Sequence, residues 1–342
     1  MGATVNKSSK IYVAGHRGMV GSAIVRCLTN AGYKNIIKQT HSELDLLNQK
    51  AVNTFFEKAK PDYVFLAAAK VGGIYANTSY PAEFIFQNMT IGFNVIHAAY
   101  KNGVKKLMNL GSTCIYPKMA EQPIKEESLL TGPLEPSNDA YAVAKISVIK
   151  LCEAYNKQYG TNFLSVMPTN LYGIGDNYDL LNSHVLPAMI RKFYDAARSG
   201  KNEVVLWGDG SPLREFLFSD DLANAVVYLM EQKNAVDLRN TSGDFVNVGS
   251  GNEITIMELA KMVRDVIYEQ EISKNMKLRD EICHIVWDTS KPNGTPRKLC
   301  DISRLTSLGF TAKMELKTGI KIAYLDFLNY KNKIEPLDEE LL

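Results

Sequence analysis

The chain has 342 residues, 46% of them hydrophobic and 22% charged, with a net charge of +2, which suits one large or two medium globular domains and argues against a chain dominated by disorder. The lysines and arginines are dispersed, with no basic block interleaved with aromatics and no apolar run near about 18 residues, so neither a nucleic-acid surface nor a membrane span is expected. Five cysteines (Cys27, Cys114, Cys152, Cys283 and Cys300) form an odd set without paired spacing, which argues against a disulfide framework or a zinc site and, with a polar start lacking a signal-peptide core, predicts a reducing cytoplasm and no bound metal.

The first predicted strand, Ile11-Tyr12-Val13-Ala14, runs into Gly15-His16-Arg17-Gly18-Met19-Val20-Gly21. Val20, Ala23, Ile24, Cys27, Leu28 and Ala31 then keep helical period until Gly32. Strand, glycine-spaced turn and helix form the dinucleotide-binding context, although the spacing here is G-x-x-G-x-x-G, one residue longer in its first gap than the common form. The helix aims its amino end at a phosphate. A second strand is expected over residues 35–40, where NAD enzymes place an acid for the ribose hydroxyls. This sequence offers Gln39, Thr40, His41 and Ser42 before Glu43, and Arg17 suits a 2′-phosphate, so NADP(H) is favoured over NAD(H).

A helix over 49–59, a buried strand over 63–67 and a small-residue loop over 68–74 continue the alternation. Helices over 82–100 and 141–159 are apolar on more than one face, through Phe84, Phe86, Met89 and Phe93 in the first and Val148, Ile149 and Leu151 in the second. The expectation is a homodimer through a four-helix bundle; cover by the chain's own second domain is the alternative. Between them, an apolar strand at 106–110 enters Gly111-Ser112-Thr113-Cys114. Tyr141 and Lys145 lie four apart, hence on one helix face, where an ammonium would draw the phenol down from its usual pKa of about 10.

Another strand over 162–167 leads to Pro168-Thr169-Asn170-Leu171, after which strict alternation stops. A helix opens near His184, a strand and turn cover 204–210, a helix covers 220–230, and Phe245-Val246-Asn247-Val248 reads as a strand returning to the main sheet. A helix over 255–267 and a loop over 290–298 follow, and 331–342 is a polar tail expected to fray. The predicted architecture is α/β: a Rossmann-type doubly wound parallel sheet from 8–175 plus about 219–249, with a smaller, discontinuous substrate domain from about 176–218 plus 250–330.

Ser112, Tyr141, Lys145 and the glycine spacing together resemble the short-chain dehydrogenase/reductase superfamily, in its extended form that acts on nucleotide sugars. Cys114-Ile115-Tyr116-Pro117-Lys118, Asn182-Ser183-His184-Val185, Arg214-Glu215-Phe216-Leu217 and the stretch from Lys291 to Lys298 narrow the resemblance to the GDP-L-fucose synthase family, from Lys10 to about Tyr330. That resemblance implies an NADP-dependent enzyme taking a GDP-sugar: 3,5-epimerisation of GDP-4-keto-6-deoxy-D-mannose, then reduction at C4. It implies Cys114 as base and His184 as acid; the bland readings are a small buried hydrophobe and a satisfied loop histidine. The C4 ketone acidifies both neighbouring carbons, so one such pair serves two inversions. Ser112 would hydrogen-bond the C4 oxygen, Tyr141 would stabilise the enolate and donate a proton, and Lys145 would also hold the nicotinamide ribose.

Cofactor contacts carried over are Gly15 through Gly21 (His16, Arg17, Gly18, Met19 and Val20 among them), His41, Leu44, Asp45, Leu46, Leu110, Gly111, Ser112, Thr113, Lys145, Pro168, Thr169, Asn170, Leu171 and His184. Substrate contacts are Lys192, Trp207, Arg214 and Asn293. Related sequences often have arginine at the positions of His41 and Lys192 and aspartate at that of Asn293, departures that touch affinity rather than reaction type. The rival readings are another nucleotide-sugar epimerase or dehydratase, and a non-catalytic dinucleotide sensor, which would need neither Tyr141 nor Lys145.

Overall fold

The computed structural model describes residues 5–180, 183–272, 283–291 and 293–334. Its first strand, β1 (Ile11–Ala14), is buried at every position. Ile11 and Val13 enter one core while Tyr12 and Ala14 enter another. Because strand side chains alternate, this pattern means a sheet covered on both faces.

The chain continues through α1 (Met19–Asn30), β2 (Ile36–Ile37), α2 (Gln49–Ala59), β3 (Tyr63–Leu66), α3 (Ile74–Ser79), α4 (Pro81–Lys101), β4 (Lys106–Leu110), α5 (Asp139–Tyr159), β5 (Phe163–Pro168) and β6 (Asn170–Tyr172). Next come α6 (Val185–Ser199), β7 (Glu203–Trp207), β8 (Leu213–Phe218), α7 (Ser219–Gln232), β9 (Phe245–Val248), β10 (Glu253–Thr255), α8 (Ile256–Ile272), β11 (His284–Asp288), β12 (Arg297–Lys298), α9 (Ser303–Ser307) and α10 (Leu316–Ile334).

Six strands form one sheet in the order β2-β1-β3-β4-β5-β9, and every neighbouring pair is parallel. The winding reverses between β1 and β3, so the loops leaving their carboxyl ends diverge and open a crevice, the usual ligand position in such sheets. One face packs on the core that includes Ala23 and Ile24 of α1 and Leu222 and Val226 of α7. The other packs on Val52 and Phe56 of α2, Val95 and Ile96 of α4 and Val148 of α5.

Strand β2 is shorter than the 35–40 segment expected. Beyond Ile37 the chain turns away, and the Thr40 amide and hydroxyl donate to the Glu43 carboxylate at 2.7 and 2.8 Å instead of extending the ladder.

A second layer lies over the carboxyl ends of the main sheet. Strand β8 is its hub, pairing antiparallel with β10 and parallel with β12 and β6, while β11 pairs with β7. Helices α6, α8 and α10 supply its core through Phe193, Val263, Ile267, Tyr324 and Phe327. Leu305 of α9 and the following Leu308 and Phe310 return to the core of the main sheet. Helix α10 docks through Ile320, Tyr324 and Phe327 and is helical to Ile334; the rest of the 331–342 tail, residues 335–342, falls outside the described residues.

Helices α4 and α5 leave Phe86, Phe93 and Val143 exposed on their outer sides. The second layer does not cover that face. Among the described residues no helix is long and apolar enough to cross a membrane, and no group of side chains is arranged to hold a metal.

Candidate active site

A cavity of about 1160 Å³ occupies the crevice between the two layers. The loops after β1, β3, β4 and β5 make one wall, and the head of α6, β8 and the approach to β12 make the other.

At the β1 end the backbone turns so tightly that side chains are excluded. Gly15 has φ +80°, and a Cβ there would lie 2.7 Å from the Ala68 nitrogen; a Cβ on Gly21 would lie 2.1 Å from the Gly15 carbonyl oxygen. Gly18 is the N-cap of α1 and brings no side-chain acceptor, so the helix's first N–H groups remain for a ligand anion. This cradle fits the pyrophosphate of a dinucleotide.

Arg17, His41, Leu44, Asp45 and Leu46 line the same end. His41 Nδ1 stands 3.8 Å from Asp45 Oδ1. Hydrogen bonds from the Thr40 amide and hydroxyl hold the Glu43 carboxyl below its ordinary range, with Arg17 and His16 contributing less. Two carboxylates therefore stand closer to this corner than the order of residues suggested, although Glu43 lines a shallow outer pocket rather than the cavity.

Near the middle, a tight turn over Thr113–Ile115 follows β4 and starts at Ser112, whose hydroxyl accepts from the Cys114 amide at 3.2 Å. The same hydroxyl lies near enough to Tyr141 to favour its phenolate. Tyr141 sits in the first turn of α5 and Lys145 one turn on. Burial first and Cys114 second push the phenol well above its usual range, the Ser112 hydroxyl opposes this, and Lys145 is not among the influences on it. The Lys145 ammonium lies 5.7 Å from the centroid of the Tyr141 ring and donates to the Leu110 carbonyl at 2.8 Å. Burial lowers Lys145 to about 8, with Cys114 opposing. The ammonium is thus tethered to the backbone behind the wall, beside the Tyr141 ring.

Cys114 is half-buried on the cavity wall. Burial alone would raise its thiol, but Lys298 and hydrogen bonds from Ser112, Lys298 and Asn138 outweigh it and hold the thiol below its ordinary value. The Lys298 ammonium lies 3.4 Å from the sulfur. His184 is the N-cap of α6 and reaches the same cavity, where burial and then Lys298 lower its pKa. Solvent in the open cleft still reaches its ring.

Of the carried-over cofactor positions, all but Leu110 and Lys145 line the cavity. The Leu110 side chain belongs to the core under the sheet, and its contribution is the carbonyl that tethers Lys145.

All four substrate positions line the far end. Lys192 donates to the Val205 carbonyl at 2.9 Å, and burial lowers its pKa. Trp207 is 56% exposed, with the Lys291 ammonium 5.8 Å from its ring centroid, so it is no core tryptophan. Arg214, partly buried, bonds the adjoining Leu213 carbonyl at 2.8 Å. The Asn293 amide oxygen accepts from the Asp209 amide at 2.9 Å, a turn contact that leaves the side chain at the rim.

Comparison with known proteins settles the lineage. The model of the NAD dependent epimerase/dehydratase family matches residues 11–249. The chain is 56% identical over 320 residues to a protein named putative GDP-L-fucose synthase 2 of Arabidopsis thaliana, covering 94% of this chain and 92% of that one. It is 49% identical over 326 residues to the GDP-L-fucose synthase of Escherichia coli (strain K12), covering 95% and 98%. The chain belongs to the NAD-dependent epimerase/dehydratase family, in its GDP-L-fucose synthase group. Among solved structures, a GDP-mannoheptose C4 reductase from Campylobacter jejuni with NADP bound superposes with a TM-score of 0.85 at 39% identity, covering 95% of this chain and 99% of that one. A nicotinamide-dependent enzyme is what this membership means for the chain.

Against that family background, the residues that sequence reasoning left without a role are Asn138 and Lys298. Lys298 stood in a stretch that carried the resemblance, but only the fold brings it to Cys114, 184 residues earlier. One structural signal would have found Asn138. Its Oδ1, with His16 Nδ1, Asn77 Oδ1, Asp176 Oδ2 and Ser183 Oγ, is buried without a hydrogen-bond partner, and all five residues line the cavity. Such orphaned atoms are uncommon in folded proteins, and here they cluster in residues that line the cavity.

Proposed function

We propose that this protein is a GDP-L-fucose synthase, which inverts C3 and C5 of GDP-4-keto-6-deoxy-D-mannose and reduces C4. The observation that carries the reading is the meeting of Cys114 and His184 with Ser112 and Tyr141 in one cavity. A plain 4-epimerase or dehydratase has no need of that second acid–base pair.

In this reading the Ser112 and Tyr141 hydroxyls bind the C4 oxygen, where charge develops when a neighbouring carbon loses its proton. Cys114, with its thiol held low, removes that proton, and His184 returns one from the opposite side of the ring. Burial and Lys298 favour neutral imidazole; the diphosphate of the sugar nucleotide would bring negative charge into the same cleft and favour the imidazolium that an acid must be. After both inversions Tyr141 gives its proton to the C4 oxygen. NADPH, when bound, supplies the hydride for C4. The Gly15–Gly21 turn and the head of α1 would hold its pyrophosphate, and Arg17 and His41 its 2′-phosphate, giving NADPH preference. Lys145 would hold the nicotinamide ribose, while Lys192, Trp207, Arg214 and Asn293 would hold the GDP moiety.

The outer face of α4 and α5, with Phe86 65% exposed, supports a homodimer joined through these helices. We assign the cofactor unit to 8–175 plus 219–249 and the substrate unit to 176–218 plus 250–330, and place the enzyme in the cytoplasm. The test is incubation with NADPH and GDP-4-keto-6-deoxy-D-mannose in deuterated water, with the product resolved by proton NMR. GDP-L-fucose carrying deuterium at C3 and C5 is expected. A reduced product with unchanged C3 and C5 would make the protein a simple C4 reductase.

A further inference from the structure

We propose that Lys298 is the counter-ion that keeps Cys114 as a thiolate, and thereby a positioning residue for the epimerisation half of the reaction; this rests on Cys114 being the base. The two side chains meet across the cleft between the layers, the ammonium 3.4 Å from the sulfur.

Strand β12 explains why the ammonium points there. Neighbouring side chains on a strand face opposite ways. Arg297 turns outward and makes a two-pronged pair with Glu253, both distances 2.8 Å. Lys298 therefore turns inward, in register with Arg214 of β8, and both line the cavity. Among the described residues no carboxylate pairs with Lys298, whereas its neighbour's charge is already neutralised. The backbone around it is clamped to the segment that follows Cys114. The Leu299 amide donates to Gln122 Oε1 and the Ile124 amide to the Leu299 carbonyl, each at 2.8 Å. The Cys300 amide donates to the buried Glu215 carboxylate at 3.0 Å. An ammonium on so fixed a frame loses little freedom in meeting the sulfur, which is what preorganisation requires.

The titratable groups facing the sulfur are Lys298 from β12 and Tyr141 and Lys145 from α5, with uncharged Ser112 and Asn138 completing the contacts. His184, at the head of α6, faces Lys298. Glu135 lines the same cavity but is paired with Lys118 at 3.1 Å. Lys145 is tethered to the Leu110 carbonyl, which leaves Lys298 as the cation in contact with the sulfur. The same charge that favours thiolate at Cys114 also favours neutral imidazole at His184, and the negative diphosphate of the substrate would offset it at the imidazole.

The test is the pH profile of Cys114 alkylation by iodoacetamide, followed by peptide mass spectrometry, in protein free of cofactor and sugar nucleotide. Only thiolate reacts, so the midpoint reports the thiol directly. Lys298→Met should raise the midpoint by about one to three pH units, the usual reach of an opposite charge at this distance. At neutral pH it should slow deuterium uptake at C3 and C5 by about tenfold or more. Lys298→Arg should restore both, which a merely structural lysine would not do, and serves as the charged control should the methionine variant fold poorly. An unchanged midpoint in Lys298→Met, or a raised midpoint in Lys298→Arg, would overturn the assignment. Cys114→Ser separates this from the underlying reading: continued deuterium uptake in that variant removes Cys114 as base, whatever Lys298 does to the thiol.

Discussion

Lys145 sits in the wall at a cost to folding that the structure allows to be sized. Burial brings its ammonium from 10.5 to about 8, and each tenfold loss of proton affinity corresponds to about 1.4 kcal/mol, so holding the charge there costs about 3 kcal/mol at neutral pH. Replacing Lys145 by methionine removes that cost and keeps the apolar stem. It also strands the Leu110 carbonyl, now satisfied at 2.8 Å, a loss of about 1–2 kcal/mol. The net expectation for Lys145→Met is a gain of about 1–2 kcal/mol in stability, with turnover lost. The sign with pH follows from proton counts. Between about 8 and 10.5 the unfolded chain holds a proton on Lys145 that the folded chain has released, so wild-type stability rises with pH across that window and the methionine variant, lacking the group, does not follow. Urea denaturation of both proteins without ligand, at pH 7 and again near pH 10, checks this. A variant less stable than wild type at pH 7, or a gap between the two that fails to narrow toward pH 10, would refute the argument.

Three further outcomes follow from the geometry. Tyr141→Phe should lower turnover by about two to four orders of magnitude, the scale for a placed acid, with GDP-sugar binding retained; titration calorimetry beside steady-state rates checks both. Cys114→Ser should lose deuterium uptake at C3 and C5 and yield a GDP-6-deoxyhexose with both centres unchanged, because a hydroxyl is far too weak an acid to supply the base; normal GDP-L-fucose formed at a normal rate would remove Cys114. Arg17→Glu should weaken NADPH much more than NADH by placing a like charge beside the 2′-phosphate, and equal losses measured by fluorescence titration would take Arg17 out of that corner.

The main sheet was legible because its signals are local. A buried strand reads as a continuous apolar run, a glycine-spaced turn fixes where the pyrophosphate goes, and helical period marks α1, α2 and α7 within a few residues. The second layer was less so. Strand β12 is two residues long and β10 three, too short for any periodicity, and both exist because β8 offers them an edge. Strand β2 was overextended for the converse reason: the residues beyond Ile37 favour strand by composition, but Glu43 captures the Thr40 amide. At the site, residue types were readable and electrostatics were not. Tyr141 and Lys145 share a helix face as their spacing requires, yet the ammonium is also tied to the Leu110 carbonyl, and no sequence spacing encodes that tether.

The partition of the site between the layers bears on how the two chemistries are kept in order. Ser112, Cys114 and Tyr141 stand on elements of the main sheet, beside the cradle expected to hold the cofactor. His184, Arg214 and Lys298 stand on the second layer, which faces them across the cleft. In the proposed reaction, reduction needs a proton donor and the hydride source, and both would belong to the first set. Epimerisation needs the base charged and the acid in place, and both requirements reach across the cleft to the second. A change in the separation of the layers would thus alter proton abstraction first, since the ammonium–sulfur attraction falls with distance and water would screen it more as the gap widens. The ammonium already stands 3.4 Å from the sulfur on a strand clamped to the segment that follows Cys114, so on the proposed reading the base is poised by the closed arrangement of the layers itself.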